Sequence, residues 1–292
     1  MSPLATMRPM PLAHPHRFVR HQTLLPHLEL RLANGSRDCY QTHTHEEYAF
    51  GTVDAGEALF RHGRGEETLS PLRAGMTVMM EPGLAHSCNP SEAQAWSYRM
   101  LYVDASWLHR SFLPLGGETG ALPLSQHASD SREVYAALSL ICEALAAPCP
   151  PDPLELNEQL LNFVADHALQ ARAPEASPTP LAAGASASDD AALQAVRQRI
   201  ETQMSQALSL EELAQLGGWS EFQLLRRFKH AFGLTPHAYQ IDLRLNRAKR
   251  LLKQGLPLSE VALELGFSDQ SHFQRHFKKR HATTPGNYQS RD

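Results

Sequence analysis

The sequence predicts an α+β protein of two domains. An N-terminal β-barrel or sandwich is followed by two helices, and a C-terminal all-α domain carries two helix-turn-helix motifs joined by a long helix. Three observations support this. The phrase FQLLRRFKHAFGLTPHAY (222–239) returns as SHFQRHFKKRHATTPGNY (271–288), and self-similarity at a fixed spacing marks duplicated units. Short apolar runs punctuated by Gly and Pro fill the first third of the chain. Between the two regions, ARAPEASPTPLAAGASASDD (171–190) has no aromatic residue and Leu181 as its one large apolar residue, which is linker composition. The expected units are therefore 1–172, a flexible linker over 173–189, and 190–292.

In chain order, Tyr48–Thr52, Ala58–Arg61, MTVMM (76–80) and AWSYRMLYV (95–103) read as strands, making residues 1–125 all-β. SREVYAALSLICEALAA (131–147) spaces Val134, Leu138, Ile141 and Leu145 as one helical stripe. DPLELNEQLLNFVADHALQ (152–170) does the same with Leu156, Leu160, Phe163 and Val164, Leu161 lying at the edge. Asp152 is its expected cap and Pro153 its first residue. An exposed stripe of this kind marks an interface, so the helix is expected to make a homodimer.

At 292 residues, 42% of them apolar, the chain can hold two cored domains. No run approaches the ~20 apolar residues that cross a bilayer. The opening MSPLATMRPMPLAHPHRF lacks the apolar stretch of a signal peptide, so a cytoplasmic protein without a membrane partner is expected. Cys39, Cys88, Cys142 and Cys149 form no Cys-x-x-Cys pair and read as reduced, structural thiols. The net charge of −4 is uneven. Residues 190–292 hold 15 Lys and Arg against 10 Asp and Glu, while the rest hold 12 against 21. That imbalance points to a polyanion met by the C-terminal part alone.

Within the C-terminal part, Leu210–Leu216 is a short helix started by Ser209 and stopped at Gly217–Gly218. Ser220 then caps a second helix running to Phe232. The second copy repeats this with Ser259–Leu265, a turn at Gly266, and Asp269–Arg280. A helix from Pro236 to Gln254 joins the copies. Leu224 and Phe228, like Phe273 and Phe277, are four apart and face inward. Gln223, Arg226 and Arg227 in one copy, and Gln270, Ser271, Gln274 and Arg275 in the other, form a polar face suited to the major groove of double-stranded DNA.

LSLEELAQLGGWSEFQLLRRFKHAFGLTPHAYQIDLRLNRAKRLL and LSEVALELGFSDQSHFQRHFKKRHATTPGNY resemble the double helix-turn-helix domain of AraC-type bacterial transcription regulators over the whole of 190–290. The resemblance implies two recognition helices in successive major grooves, about 34 Å apart. Carried over by position, the base-reading residues are Phe222, Leu225 and Arg226 in the first helix, and Gln270, Ser271, Gln274 and Arg275 in the second. Leu225 is apolar where relatives often carry a polar residue, leaving that copy methyl contacts and Arg226. Lys229, Lys278 and Lys279 are phosphate partners. The resemblance also implies homodimers, RNA polymerase as a partner of an activator, and a place on the bacterial nucleoid.

QTHTHEEY (41–48) sets His43 and His45 on one side of an extended segment. With Gly75, Gly83 and His86 it resembles the cupin-like sensor barrel of the same regulators over about 35–110. Three His could hold a divalent metal. Enzymatic cupins, however, add a Glu four or five residues after the second His, where Ala49 and Phe50 stand here. On the sequence alone, His43, His45 and His86 are therefore assigned to a ligand pocket rather than to a metal, and no cofactor is required. Alternation in the last strand puts Trp96, Tyr98, Met100 and Tyr102 on one face and Ser97, Arg99 and Leu101 on the other. Trp96 and Tyr98 are the expected contacts of a small-molecule effector, the arabinose-sensing member of the family having a Trp at the matching place.

The function expected is a sequence-specific transcription regulator controlled by an effector whose identity is open, with no enzymatic activity. Two alternatives belong to other classes: a DNA-tethered, metal-dependent cupin enzyme, against which the absent Glu argues, and alkyl-transfer repair chemistry, which needs an activated Cys.

Overall fold

The computed structural model describes residues 16–63, 67–90, 94–112, 122–148, 152–169 and 187–290. The N-terminal part folds as two antiparallel sheets. Six strands pair in the order β1 (His16–Val19), β2 (Leu28–Ser36), β8 (Trp96–Val103), β3 (Tyr48–Ala55), β6 (Thr77–Met80) and β9 (Ala128–Ser129). The second sheet has β5 (Thr68–Arg73), β4 (Glu57–His62) and β7 (His86–Pro90). The all-β expectation for 1–125 needs one correction. A short helix, α1 (Ala105–Phe112), follows β8, because Asp104 accepts a bond from Trp107 N at 2.7 Å and starts a turn.

Strand β8 is buried on both faces, and this builds two cores. Trp96, Tyr98, Met100 and Tyr102 point between the sheets, where they meet Tyr40, Ala49, Phe60, Leu72, Met80 and Cys88. Leu101 and Val103 point outward onto α2 (Arg132–Ala146) and α3 (Pro153–Phe163). Asp152 caps α3, accepting from Leu154 N at 2.8 Å and from Glu155 N at 3.2 Å, with Pro153 first in the helix.

The stripe expected to form an interface is core. Leu156, Leu160, Phe163 and Val164 are all buried against the sheet together with Val134, Leu138, Ile141 and Leu145. The physical reason is that the outer face of the six-stranded sheet is itself apolar (Leu28, Leu30, Phe50, Leu101), so the two helices are the cover it requires. A turn of π-helix at Val164–Ala168 carries the stripe one residue further, and Ala168 is also buried.

The C-terminal part opens with α4 (Ala187–Thr202), so the last three positions of the expected linker are helical. The rest of that linker, like Cys149, lies outside the described residues. Then follow α5 (Leu210–Gly217), α6 (Glu221–Phe232), α7 (Pro236–Lys253), α8 (Leu258–Glu264), α9 (Gln270–His281) and α10 (Pro285–Gln289). Each helix-turn-helix has its own core. Leu193, Val196 and Ile200 of α4 close the first around Leu224 and Phe228. The second packs Phe273 and Phe277 against Ile241, Leu245, Leu252 and Val261.

The repeated Thr-Pro-x-x-Tyr phrase now has a physical account. Thr235 and Thr284 are helix caps, accepting from Ala238 N at 3.3 Å and Asn287 N at 3.2 Å. Pro236 and Pro285 take the first helical position, and Tyr239 and Tyr288 are buried plugs one turn on. The Tyr239 hydroxyl donates to Glu201 of α4 at 2.7 Å, within the domain, whereas that of Tyr288 donates to Glu29 on β2 at 3.0 Å, across to the other domain.

The two copies are bolted together at the turn of the second. Gly266 has φ +72°, and a Cβ there would sit 1.9 Å from the carbonyl oxygen of Ser205. Arg244 of α7, a buried cation, donates to the carbonyls of Gly266 (2.8 Å), Met204 (2.5 Å) and Gln206 (3.0 Å). The chain leaving the first copy's α4 is thereby tied to the second copy's turn.

Candidate nucleic-acid interface and ligand site

The second helix of each helix-turn-helix, α6 and α9, is capped as the sequence suggests. Ser220 forms a capping box with Gln223 at the start of α6, and Asp269 caps α9, accepting from His272 N at 2.7 Å. On α9, Gln270, Ser271, Arg275, Lys278 and Lys279 are exposed and Gln274 is half-buried. On α6, Arg226 and Lys229 are exposed and Leu225 is half-buried, while the Phe222 side chain lies outside the described residues.

Two polar residues of α6 have other work. The side-chain amide oxygen of Gln223, Oε1, accepts from Ser220 N at 3.0 Å. Arg227 pairs with Asp189 of α4 and stacks over Trp219, its guanidinium carbon 5.2 Å from the ring centre. Gln223 stays exposed on the polar face of α6, and Arg227 is half-buried against α4. Arg275, Lys278 and Lys279 line one wall of an open cleft of about 320 Å³, whose other wall includes Asp38 and Cys39 of the sensor.

The sensor grips the reader domain through the segment 41–47. Between its two histidines, Thr44 donates from N at 3.2 Å and from its hydroxyl to Asp242 of α7, and the Thr42 carbonyl accepts from Arg280 of α9. Glu46 meets Arg250 at 2.8 Å and Glu47 meets Lys249 at 3.0 Å. Burial raises the Asp242 carboxyl to about 6, against the opposing pull of Arg280 and the Thr44 bonds. Deeper still, buried Glu29 meets Lys253 at 2.7 Å and Arg20 at 2.8 Å.

His43, His45 and His86 converge. Their ring centres stand 4.5–4.8 Å apart and all three are buried. From this cluster, aromatic side chains continue into the sheet interior. Tyr40 lies 6.0 Å from His43, its hydroxyl bonds that of Tyr98, and Tyr98 packs on Trp96 at 4.3 Å. The interior holds donors in want of acceptors. Trp96 Nε1 and the Nε and Nη2 of Arg31 are buried and find no hydrogen-bond acceptor among the described residues, although the Arg31 guanidinium lies over the rings of Phe18, Tyr40 and Tyr98. Arg31 was missed because LELRLA in β2 was not read as a strand, although its apolar–polar alternation is the signal.

Cys88 and Cys142 are buried, and burial pushes both thiols up to about 12, so neither is an activated nucleophile. Among the described residues no helix is long and apolar enough to cross a membrane.

A β-domain whose largely apolar interior holds a few buried polar groups, fixed to a pair of helix-turn-helix motifs, defines a ligand-responsive, DNA-binding regulator. Residues 25–164 match the family model of the AraC-like ligand binding domain, and residues 213–291 that of a helix-turn-helix domain. The chain is 29% identical over 252 residues to YbfI, an uncharacterized HTH-type transcriptional regulator of Bacillus subtilis, covering 84% of this chain and 86% of that one. It is 39% identical over 82 residues to the regulator MtrA of Neisseria gonorrhoeae, 27% of each chain. Among solved structures, apo ToxT of Vibrio cholerae shares the fold with a TM-score of 0.53 at 11% identity, over 90% of this chain and 97% of that one. The chain belongs to the AraC-type transcription regulators, with a ligand-binding domain at its N-terminal end and the DNA-binding domain after it.

Proposed function

We propose that an effector held between the sheets sets how firmly the segment 41–47 holds α7 and α9, and thereby the placing of the two readers on DNA. The observation that carries this is the direct bonding of that segment to Asp242 and Arg280. His43, His45, His86, Trp96 and Tyr98 border the ligand space, and Arg31 joins them. Unmet buried donors cost about 1–3 kcal/mol each, so an effector offering acceptor oxygens suits Arg31 and Trp96. ToxT, which shares the fold, has been solved with an unsaturated fatty acid bound. The sensing unit is residues 1–172 and the reader 190–292. The protein works in the cytoplasm, on the nucleoid, without catalysing a reaction, and contacts RNA polymerase where it activates.

Base readout falls to Gln270, Ser271, Gln274 and Arg275 on α9 and to Phe222, Leu225 and Arg226 on α6, with Lys229, Lys278 and Lys279 on phosphates. Arg275→Ala should weaken binding to a DNA site selected from a random pool by roughly 1–3 kcal/mol and relax one position of it. Lys279→Ala should weaken all sequences alike and flatten the salt dependence. Equal losses by both variants on selected and random DNA would remove Arg275 from readout.

A homodimer would use the outer side of the helical layer, where Leu140 and Leu154 are 64% and 70% exposed. Leu140→Glu with Leu154→Glu should then yield monomers in sedimentation. A monomeric native chain would refute the dimer.

A further inference from the structure

The histidine cluster has features that a hydrogen-bonding pocket does not require. His43 and His86 are bridged backbone to backbone, each N donating to the other's carbonyl at 3.0 and 2.9 Å, and Gly83 N fixes the carbonyl of His45 at 2.9 Å. The Nδ1 of His43 donates to the Gln41 carbonyl and that of His86 to the Leu84 carbonyl, both at 2.8 Å. These bonds fix the tautomer and leave each Nε2 with its lone pair, as outer-shell carbonyls do for metal-binding imidazoles. His45 Nδ1 is buried without a partner. One ligand nitrogen from each ring lies within 4.8 Å of the others. An ion bound at 2.0–2.1 Å draws such atoms to roughly 3.3 Å apart, a change within reach of small ring rotations. The neighbouring carboxylates, Glu46 and Glu47, are held by Arg250 and Lys249.

We propose that His43, His45 and His86 form a site for a divalent first-row transition metal, and that filling it stiffens the segment gripped by the reader domain. Three neutral imidazoles select zinc, nickel, cobalt or iron over the oxygen-seeking cations. Three protein ligands leave a position open. Beside the cluster stands His281 of α9, its ring 6.3 Å from that of His43 and its Nε2 buried without a partner. Ligands and clasp alternate along one segment before β3: His43 and His45 turn to the cluster, while the Thr42 carbonyl accepts from Arg280 and Thr44 donates to Asp242. The metal site stands on sensor residues alone; its effect on the readers rests on the regulatory reading above.

The full chain, stripped by a chelator and titrated with Co²⁺, should take up one equivalent and show the d–d absorption of a nitrogen-ligated ion. His43→Ala and His86→Ala, with circular dichroism matching the native metal-free chain, should each weaken Zn²⁺ binding by at least ~100-fold, beyond what loss of an outer-shell partner costs. No stoichiometric uptake by the native chain, or uptake kept in both variants, overturns the site. Coupling is reciprocal, so Asp242→Asn, which faces Thr44 and Arg280 with an amide, should weaken Zn²⁺ binding about 5-fold or more. In the native chain, Zn²⁺ should slow hydrogen exchange in α7 and α9, a measurement that needs no variant to fold. Unchanged exchange on adding Zn²⁺ overturns the coupling and leaves the regulator assignment standing.

Discussion

Gly266→Ala is expected to destabilise the reader domain by about 2–4 kcal/mol, lowering its thermal midpoint by roughly 10 °C or more. Two costs add. The φ of +72° is a left-handed conformation, which costs an L-residue about 1–2 kcal/mol. The new methyl would also lie 1.9 Å from the Ser205 carbonyl oxygen. That atom is backbone, fixed by its neighbours Met204 and Gln206, whose carbonyls Arg244 holds. No rotamer change relieves the contact, so the turn between α8 and α9 must shift, and with it the recognition helix. Gly255 is the control: its φ is +86° but nothing lies within 4 Å of a Cβ. Gly255→Ala should cost only the conformational term. Equal midpoints for the two variants in circular dichroism melts would refute the steric account.

Glu29→Gln is expected to cost about 3–5 kcal/mol, the usual loss when one member of a buried ion pair is removed. Glu29 is 3% exposed and takes charge-assisted bonds from Arg20 and Lys253 and a bond from the Tyr288 hydroxyl. Because Lys253 and Tyr288 belong to α7 and α10, the loss should appear first as undocking, seen as faster hydrogen exchange in α10. Burial would raise the Glu29 carboxyl, but Lys253, Arg20 and Lys249 overcome it and hold it far below the carboxylate range. A depressed acid contributes stability above its unfolded value, near 4.3, and loses it as pH falls. Asp242, raised to about 6, has the opposite sign, its contribution fading as pH rises from about 4 to 6. Since Asp242 is common to both proteins, the difference between native chain and variant isolates Glu29. That difference should be full at pH 7 and shrink below pH 4. A difference independent of pH would show that Glu29 acts by packing rather than charge.

The helices α5 to α9 were legible because their signals are local. Ser209, Ser220, Thr235 and Asp269 cap, Gly218 and Gly266 stop, and apolar residues recur at steps of three or four. The α4 stripe of Leu193, Val196 and Ile200 has the same spacing and went unread beside the linker composition before it. Strand β2 hid for another reason. An alternation of Leu with Glu and Arg suggests one wet face, yet both faces of β2 are covered, one by helices and the other by the C-terminal domain at Glu29 and by the sheet interior at Arg31 and Ala33. The stripe on α3 shows the limit of periodicity: it says that a face is buried, not against what. That His43 and His45 share a side follows from their spacing; that His86 joins them was implied only by the resemblance to a cupin-like barrel. The grip of Asp242 on Thr44, 198 residues earlier, was not foreseeable, since nothing local in α7 distinguishes that carboxylate from a solvated one.

The two tyrosines of the repeated phrase give the duplication an outcome that symmetry would not. Tyr239 spends its hydroxyl on Glu201 and completes its own motif; Tyr288 completes its motif only with Glu29 of another domain. A duplicated position has thus been divided between self-sufficiency and dependence. On the proposed readout, the half-site beneath α6 would be read by a unit whose closing bond is its own, and the half-site beneath α9 by a unit finished by the sensor, whose state would then set the occupancy of that half-site alone.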